Sequence, residues 1–499
     1  MNQTIDSSLP ASLYTAASIR AMDRHAIDIL GIPGIELMRR AGQACFDSLC
    51  AAWPGARTLS VITGAGNNGG DGFVVARLAH QAGWDVRVYP VVAPECLEGD
   101  ARTALLEYRN VEGPLADFIP EHFDQAEILV DALLGTGLNR AVEGFHANLI
   151  RATHRFRGRI VAVDVPSGLN ADTGAIMGAA VKADLTVTFL GLKQGLFTGS
   201  GLEQCGRVIL SDLDVPPPVQ QSVTRTACLL PRLTRGLPRR PRYAHKGDFG
   251  HVLVVGGAEG YGGAARLAAE AAARVGAGLV SVATHPANAP LLNLGCPELM
   301  CHGVRNTEAL APLLQNATVV VLGPGLRLSD WAYSLWEQVL KSDLPIVLDA
   351  DGLNFLSGHS VHRNNWVLTP HPGEAARLLG MTSTDIQRNR YAAIRELQDT
   401  CGGTVVLKGS GTLILGRDGI PSVCTGGNPG MASGGMGDVL SGVIAGLIAQ
   451  DLNLEDAAEW GVRLHAAAGD TAAEAGERGL MARDLMNPLR HWVNACAND

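Results

Sequence analysis

Apolar residues in the first half of the chain gather in short runs. TLSVIT (58–63), VRVYPV (86–91), ILVDAL (128–133), IVAVDV (160–165), LTVTFL (185–190) and residues 208–210 are rich in strand-forming types. Helix-like stretches such as 73–81 lie between several of them, and residues 18–42 read as one or two amphipathic helices. Alternation of this kind predicts a parallel sheet covered by helices.

The pattern stops at DVPPPVQQSVTRT (214–226), where three consecutive prolines and a polar stretch read as a linker. A basic run follows (Arg232, Arg235, Arg239, Arg240, Arg242, Lys246) and reads as a solvated connector. The α/β pattern then restarts. Strands are predicted at 251–255, 279–283, 319–322, 346–348, 366–368, 404–407 and 412–415, and helices at 264–275 and 439–449.

Length supports the division, since 499 residues exceed one ordinary core and two domains are expected. The boundaries are 1–216, a linker at 217–227, and 228–499. With 46% hydrophobic and 18% charged residues, global disorder is excluded. The 60 glycines cluster beside the apolar runs, as in loops where backbone approaches a ligand. A net charge of −9 argues against a nucleic-acid partner and leaves small anionic ligands open. Only five lysines occur; Lys246 and Lys408 adjoin glycine, and Lys193 lies two residues from a glycine on either side. The ten cysteines include no C-x-x-C pair and read as reduced, buried thiols. No basic and apolar leader opens the chain, and no apolar run reaches membrane-spanning length. A cytoplasmic protein without a membrane partner is expected.

GAGNNGGDG (64–72) follows a strand and opens a helix. It contains G-x-G-x-x-G, so a dinucleotide loop is one reading. Asn67 and Asn68 interrupt that reading, and Asp71 puts negative charge where a pyrophosphate would sit. Two further strands end in carboxylates, Asp131 and Asp164. With Asn68 and Ser167 they are expected to share one crevice beyond the strand ends. Gathered oxygens suit a hard cation with a polar ligand, while any single Asp also suits a turn. Lys193, in GLKQGLFTG (191–199), follows another strand and reaches toward the same crevice.

In the second half, NPGMASGGMGDVL (428–440) strips side chains from a loop that opens a helix, which makes an anion site of its backbone N–H groups. Asp438 reads either as the cap of that helix or as a base beside the anion. KGSGT (Lys408, Gly409, Ser410, Gly411, Thr412) offers a cation, glycine backbone and hydroxyls to a nucleotide, and it is not a Walker A loop. His371 and Glu374 lie three apart at a strand-to-helix junction, where a turn role for the histidine is equally open.

GAGNNGGDG, DALLGTGL, VDVPSGLNADTG and GLKQGLFTG together resemble the NAD(P)H-hydrate epimerases over about residues 10–216. The resemblance implies a hydrate site at Asn67, Asn68, Gly69, Gly70 and Asp71 and at Gly135, Thr136, Gly137, Leu138, Asn139, Arg140 and Ala141. It also implies a contact from Asp164 to the nicotinamide portion, and K+ near Asn68, Asp131 and Ser167. Asp164 and Lys193 are the candidate acid–base pair.

HKGDFGHVLVVGG, GAARLAAEAAARVGAGLV, GPGL, TPHPGEAARLLG, VLKGSGT and GMASGGMGDVLSG resemble the ADP-dependent NAD(P)H-hydrate dehydratases, from 245 to about 450. These imply a ribokinase-like α/β domain behind a Rossmann-like one. Hydrate contacts are implied at Ala264, Gly325, His371 and Asp438, with nucleotide contacts at Lys408–Thr412 and Gly437. Asp438 is the candidate base, and Mg2+ is expected with ADP. Arg483 stands where the family usually carries a small hydroxyl residue. The combined expectation is a homo-oligomeric repair enzyme for the hydrates NADHX and NADPHX. Three rivals are an NAD(P)-dependent dehydrogenase, a small-alcohol or vitamin kinase, and a non-catalytic binding scaffold in the first half.

Overall fold

The protein is described from a computed structural model that covers residues 9–117, 126–234, 236–417 and 419–495; Arg235 and both extreme ends lie outside the described residues. It divides into two units, Met1–Leu229 and Leu230–Asp499.

In the first unit the predicted runs form one parallel sheet. Its strands are β2 (Thr58–Thr63), β3 (Asp85–Pro90), β4 (Ile128–Ala132), β5 (Arg159–Val163), β6 (Leu185–Phe189) and β8 (Arg207–Ser211), in the order β3-β2-β4-β5-β6-β8. Every residue of β4 and β6 is buried, as expected for parallel strands with both faces covered. Helices Gly34–Ala52 and Asn67–Gln81 cover one face, where Leu37, Met38 and Val74 join Val61 and Val130 in one core. Strand order reverses between β2 and β4, so the loops after these two strands diverge and open a crevice at their carboxyl ends.

Three short strands of the first unit escaped the sequence pattern. β1 (Ser12–Tyr14) pairs parallel with β7 (Leu192–Lys193) and antiparallel with β9 (Ala227–Leu229). Two or three residues are too few to display a period, so only tertiary pairing defines them. The stretch read as a linker is packed: it contains the helix Pro218–Gln221, in which Val219 is fully buried. Pro218 takes a first-turn position, where a missing N–H costs nothing.

The second unit orders its strands β12-β11-β10-β13-β14-β15-β16-β17-β18. These are β10 (His251–Val255), β11 (Leu279–Thr284), β12 (Met300–Gly303), β13 (Val319–Leu322), β14 (Ile346–Leu348), β15 (Trp366–Leu368), β16 (Thr404–Leu407), β17 (Thr412–Leu415) and β18 (Ser422–Cys424). Pairing is parallel from β12 through β16, and β17 and β18 are antiparallel. Val252, Leu253, Val254 and Val255 of β10 are fully buried, and at about 1.5–3 kcal/mol per side chain they anchor the sheet. Strand order reverses again, between β10 and β13.

Helices Gly262–Arg274 and Met436–Ile448 pack closely because small residues line the contact. A Cβ on Gly442 would lie 2.0 Å from the carbonyl oxygen of Ala268. The basic run is not merely solvated, since Arg240 lies 3.5 Å from the Phe249 ring centroid and donates to Gln450 Oε1 at 2.8 Å. Among the described residues no helix is long and apolar enough to cross a membrane.

Candidate active sites

At the reversal point of the first unit lies a cleft of about 720 Å³. Its walls are built by close backbone approach: a Cβ on Gly64 would meet the carbonyl oxygen of Leu133 at 1.9 Å. Asn67–Asp71 form the first turns of the helix Asn67–Gln81 rather than a loop. Asn67, Asn68, Asp71, residues 135–140, Asp164 and Lys193 line the cleft, joined by Arg20, Asp23 and His146. Gly69 and Gly70 do not line it; they face Gly64 and Met38 and serve packing. Ala141 is exposed and also lies outside the lining.

Asp164 follows β5 with φ 65°, a left-handed conformation that Asp tolerates better than most residues. Its carboxylate pairs with the ammonium of Lys193 and accepts from Thr188 Oγ1 at 3.1 Å. Lys193 is fully buried, and it also donates to Thr188 Oγ1 at 2.9 Å and to the Phe189 carbonyl at 2.8 Å. A buried ammonium with a carboxylate and two further acceptors is satisfied. Two more carboxyl groups face this pair. Burial, followed by the charge of Asp164, raises Asp71 well above the ordinary range. Asp23 is pushed up to about 6, mainly by burial and against the attraction of Lys193. Asp23 sits on the helix Ala16–Arg24, far from every glycine motif, so nothing in the sequence singled it out.

Asp131 and Ser167 do not open into the cleft. Both are buried behind it, with Asp131 accepting from the Ser167 amide at 2.8 Å and from Ser167 Oγ at 2.5 Å. Burial raises Asp131 to about 6 despite these bonds. The Asn68 amide lies against Gly135, whose Cβ would stand 3.3 Å from Asn68 Oδ1, and Asn68 Nδ2 is buried without a hydrogen-bond partner. The oxygens that these three residues offer a hard cation such as K+ are those of the Asp131 carboxylate, Ser167 Oγ and Asn68 Oδ1, whereas the unsatisfied Asn68 Nδ2 is a donor and ligates no cation.

The second unit gathers its chemistry beyond β14, β15 and β16. Lys408 follows β16 and donates to Asp349 Oδ1 at 2.8 Å, with Glu374 Oε2 at 3.9 Å. Burial lowers the lysine's proton affinity, but Asp349 and Glu374 outweigh it and hold the ammonium above its usual range. Asp438 is the third residue of the helix Met436–Ile448. The cap is Gly435, at φ 92° and without a side-chain bond, so Asp438 is not the helix cap. Burial and then Asp349 push Asp438 up to about 7, against the pull of Lys408. A Cβ on Gly437 would lie 3.1 Å from Lys408 Nζ, so glycine lets the helix start and the lysine adjoin.

His371 caps the helix Pro372–Leu379, accepting at Nδ1 from the Gly373 amide at 3.0 Å, while Glu374 accepts from the His371 amide at 2.8 Å. The histidine therefore has the turn role that the sequence allowed, and its remaining ring nitrogen is 3.4 Å from Glu374 Oε1. Glu374 is pushed up to about 7, chiefly by burial. Ala264 and Gly325 meet at the reversal between β10 and β13, where a Cβ on Gly325 would be 3.1 Å from that of Ala264. Arg483 is exposed, next to Ala482, which approaches Gly435. Sequence reasoning missed Asp349, although it ends the run LPIVLD in the same way as Asp131 and Asp164 end theirs.

A family model described as NAD(P)H-hydrate dehydratase matches residues 252–490, and one described as YjeF-related protein N-terminus matches 34–195. A bifunctional NAD(P)H-hydrate repair enzyme of Coxiella burnetii is 50% identical over 487 residues, covering 97% of this chain and 99% of that protein. The chain belongs to the bifunctional NAD(P)H-hydrate repair enzymes. The family member of Escherichia coli is 42% identical, with 99% of this chain and 96% of its own covered. The Leishmania major member is 36% identical, with 97% and 94% covered. This family combines an isomerase with a lyase, which accounts for two unlike polar sites on one chain. The dehydrogenase, kinase and scaffold alternatives are not favoured.

Proposed function

We propose that the first unit interconverts the R and S hydrates of NADH and NADPH, and that the second dehydrates the S hydrate with ADP, releasing AMP and phosphate. What carries this reading is Asp438, a half-buried carboxyl poised near neutrality beside a lysine and a glycine-lined helix start.

In the second unit, Asp438 accepts the proton of the C6 hydroxyl, whose oxygen then attacks the terminal phosphorus of ADP. AMP leaves. The C6–O bond next breaks with loss of the C5 proton, restoring the double bond and freeing inorganic phosphate. Phosphorylation matters because hydroxide is a poor leaving group and phosphate a good one. Lys408 and the KGSGT backbone hold the phosphates as charge develops, while Ala264, Gly325 and His371 hold the hydrate. Among the described residues no three His, Cys, Asp or Glu side chains form a metal cage. Mg2+ would therefore rest mainly on the nucleotide, with Asp349 or Glu374 nearby, and would supply charge neutralisation at the phosphates.

In the first unit, Asp164 takes the C6 hydroxyl proton and Lys193 delivers one to the ring nitrogen. The C6–N1 bond opens to an aldehyde, and closure on its other face returns both protons with C6 inverted. Asn68, Asp131 and Ser167 would hold K+, which supplies a fixed positive charge under the cleft. The enzyme works in the cytoplasm as a homo-oligomer on these small molecules, with no part for nucleic acid or membrane.

The test is incubation of full-length protein with mixed NADPH hydrates and ADP or ATP, following recovery of NADPH absorbance and the amount of each epimer. Complete consumption of both epimers, dependent on ADP, is expected. A phosphorylated product that accumulates without NADPH recovery overturns the dehydratase reading.

A further inference from the structure

Arg390 belongs to none of the glycine motifs. It opens the helix Arg390–Cys401 and is fully buried. From there it reaches the back of the KGSGT loop. Its Nη2 donates to the carbonyls of Leu407 at 3.0 Å, Lys408 at 3.3 Å and Gly411 at 3.4 Å. Its Nη1 donates to the Lys408 carbonyl at 3.3 Å and to Gln387 Oε1 at 3.0 Å. One planar guanidinium thus gathers three carbonyls of a single turn, which a lysine ammonium cannot match geometrically.

The consequence for the loop follows from peptide geometry. A trans peptide points its N–H opposite its carbonyl, and the described residues contain no cis bond. Holding the carbonyls of Lys408 and Gly411 therefore turns the amides of Gly409 and Thr412 away from Arg390. The Gly409 carbonyl is held separately, by Thr412 Oγ1 at 2.9 Å, and the Lys408 amide donates to Pro370 at 2.9 Å. Gly409 at φ 135° and Gly411 at φ 62° need a conformation that side chains resist. Glycine alone would leave this turn adaptable, and Arg390 selects one arrangement.

We propose that Arg390 is a positioning residue for nucleotide phosphate: it fixes the KGSGT turn with amides facing the anion and sets its own desolvated positive charge behind that turn. The inference rests on the reading that residues 408–412 receive the nucleotide.

The experiment measures dehydration by the full chain at saturating hydrate while ADP is varied, for wild type, R390K and Q387A. Gln387 is exposed, so Q387A loosens the guanidinium without threatening the core. The KM for ADP is expected to rise about tenfold or more in R390K and about two- to threefold in Q387A, as for loss of charge-assisted hydrogen bonds. The KM for the hydrate and the epimerisation rate should stay at wild-type values. A merely structural role would reduce the active fraction, lowering the maximal rate at unchanged KM for ADP, and that result overturns the proposal. If R390K does not fold, Q387A decides alone: an unchanged KM for ADP overturns it. A wild-type rate indifferent to ADP would instead strike at the nucleotide reading itself.

Discussion

Each unit sets one lysine among three carboxyl groups, yet the two lysines are presented in opposite ways. Lys193 is completely enclosed, bound to Asp164, Thr188 and the Phe189 carbonyl. The Lys408 side chain is 19% exposed and adjoins glycine backbone at Gly437 and in its own loop. An enclosed, fully partnered ammonium suits proton exchange at close quarters with a mainly uncharged ring. A reachable ammonium beside bare backbone suits an incoming phosphate, which needs several donors at once. The same inventory of charges therefore serves isomerisation in one unit and group transfer in the other, and the backbone around the lysine makes the difference.

The strongest way to break this comparison is Asp438→Asn. The substitution keeps size and removes the proton acceptor, so dehydration should fall at least about a hundredfold, with nucleotide binding and epimerisation intact. Near wild-type recovery of NADPH would sink the assigned role. Because Asp438 must be ionised to act and is held at about 7, kcat/KM for dehydration should climb as pH rises through about 7 and level off above it. A profile flat from pH 5 to 9 would contradict the base.

Asp164→Asn probes the other site. Asn tolerates the left-handed backbone at this position and cannot accept the hydroxyl proton. Epimerisation should drop by about a hundredfold while the S hydrate is still dehydrated at full rate. Parallel loss of both activities would mean that the two sites are not chemically separate.

Asp131→Ala should have a smaller effect, about tenfold on epimerisation, as for a residue that supports a site from behind. Dehydration should be unchanged, and the potassium dependence of epimerisation should weaken. An epimerase with unaltered potassium response would remove Asp131 from the cation site. The least disturbance is expected from truncation after Leu229, which keeps β9 paired with β1 and should leave the epimerisation rate per molecule unchanged. A folded but inactive fragment would show that the first unit is not sufficient.

The apolar runs determined much of the fold by themselves. β2, β10, β13, β14, β15, β16 and β17 fall on the predicted residues, because continuous burial on both faces demands an unbroken apolar segment. The glycine clusters likewise located the strand-to-helix junctions, since only glycine lets backbone segments approach as closely as Gly64 and Leu133 do. Tertiary structure alone decided the rest. β1, β7 and β9 exist through pairing partners 179 or more residues distant in register (Leu13 with Leu192 and Ala227). Asp23 and Arg390 lie on ordinary helices, and packing, not local pattern, delivers one to the Lys193 pair and the other to the nucleotide loop. Asp438 is raised to about 7 by burial and by the negative charges of Asp349 and Glu374, which lie far along the chain. A sequence names the groups that can carry charge, but their proton affinities depend on desolvation and on which charges the fold brings beside them.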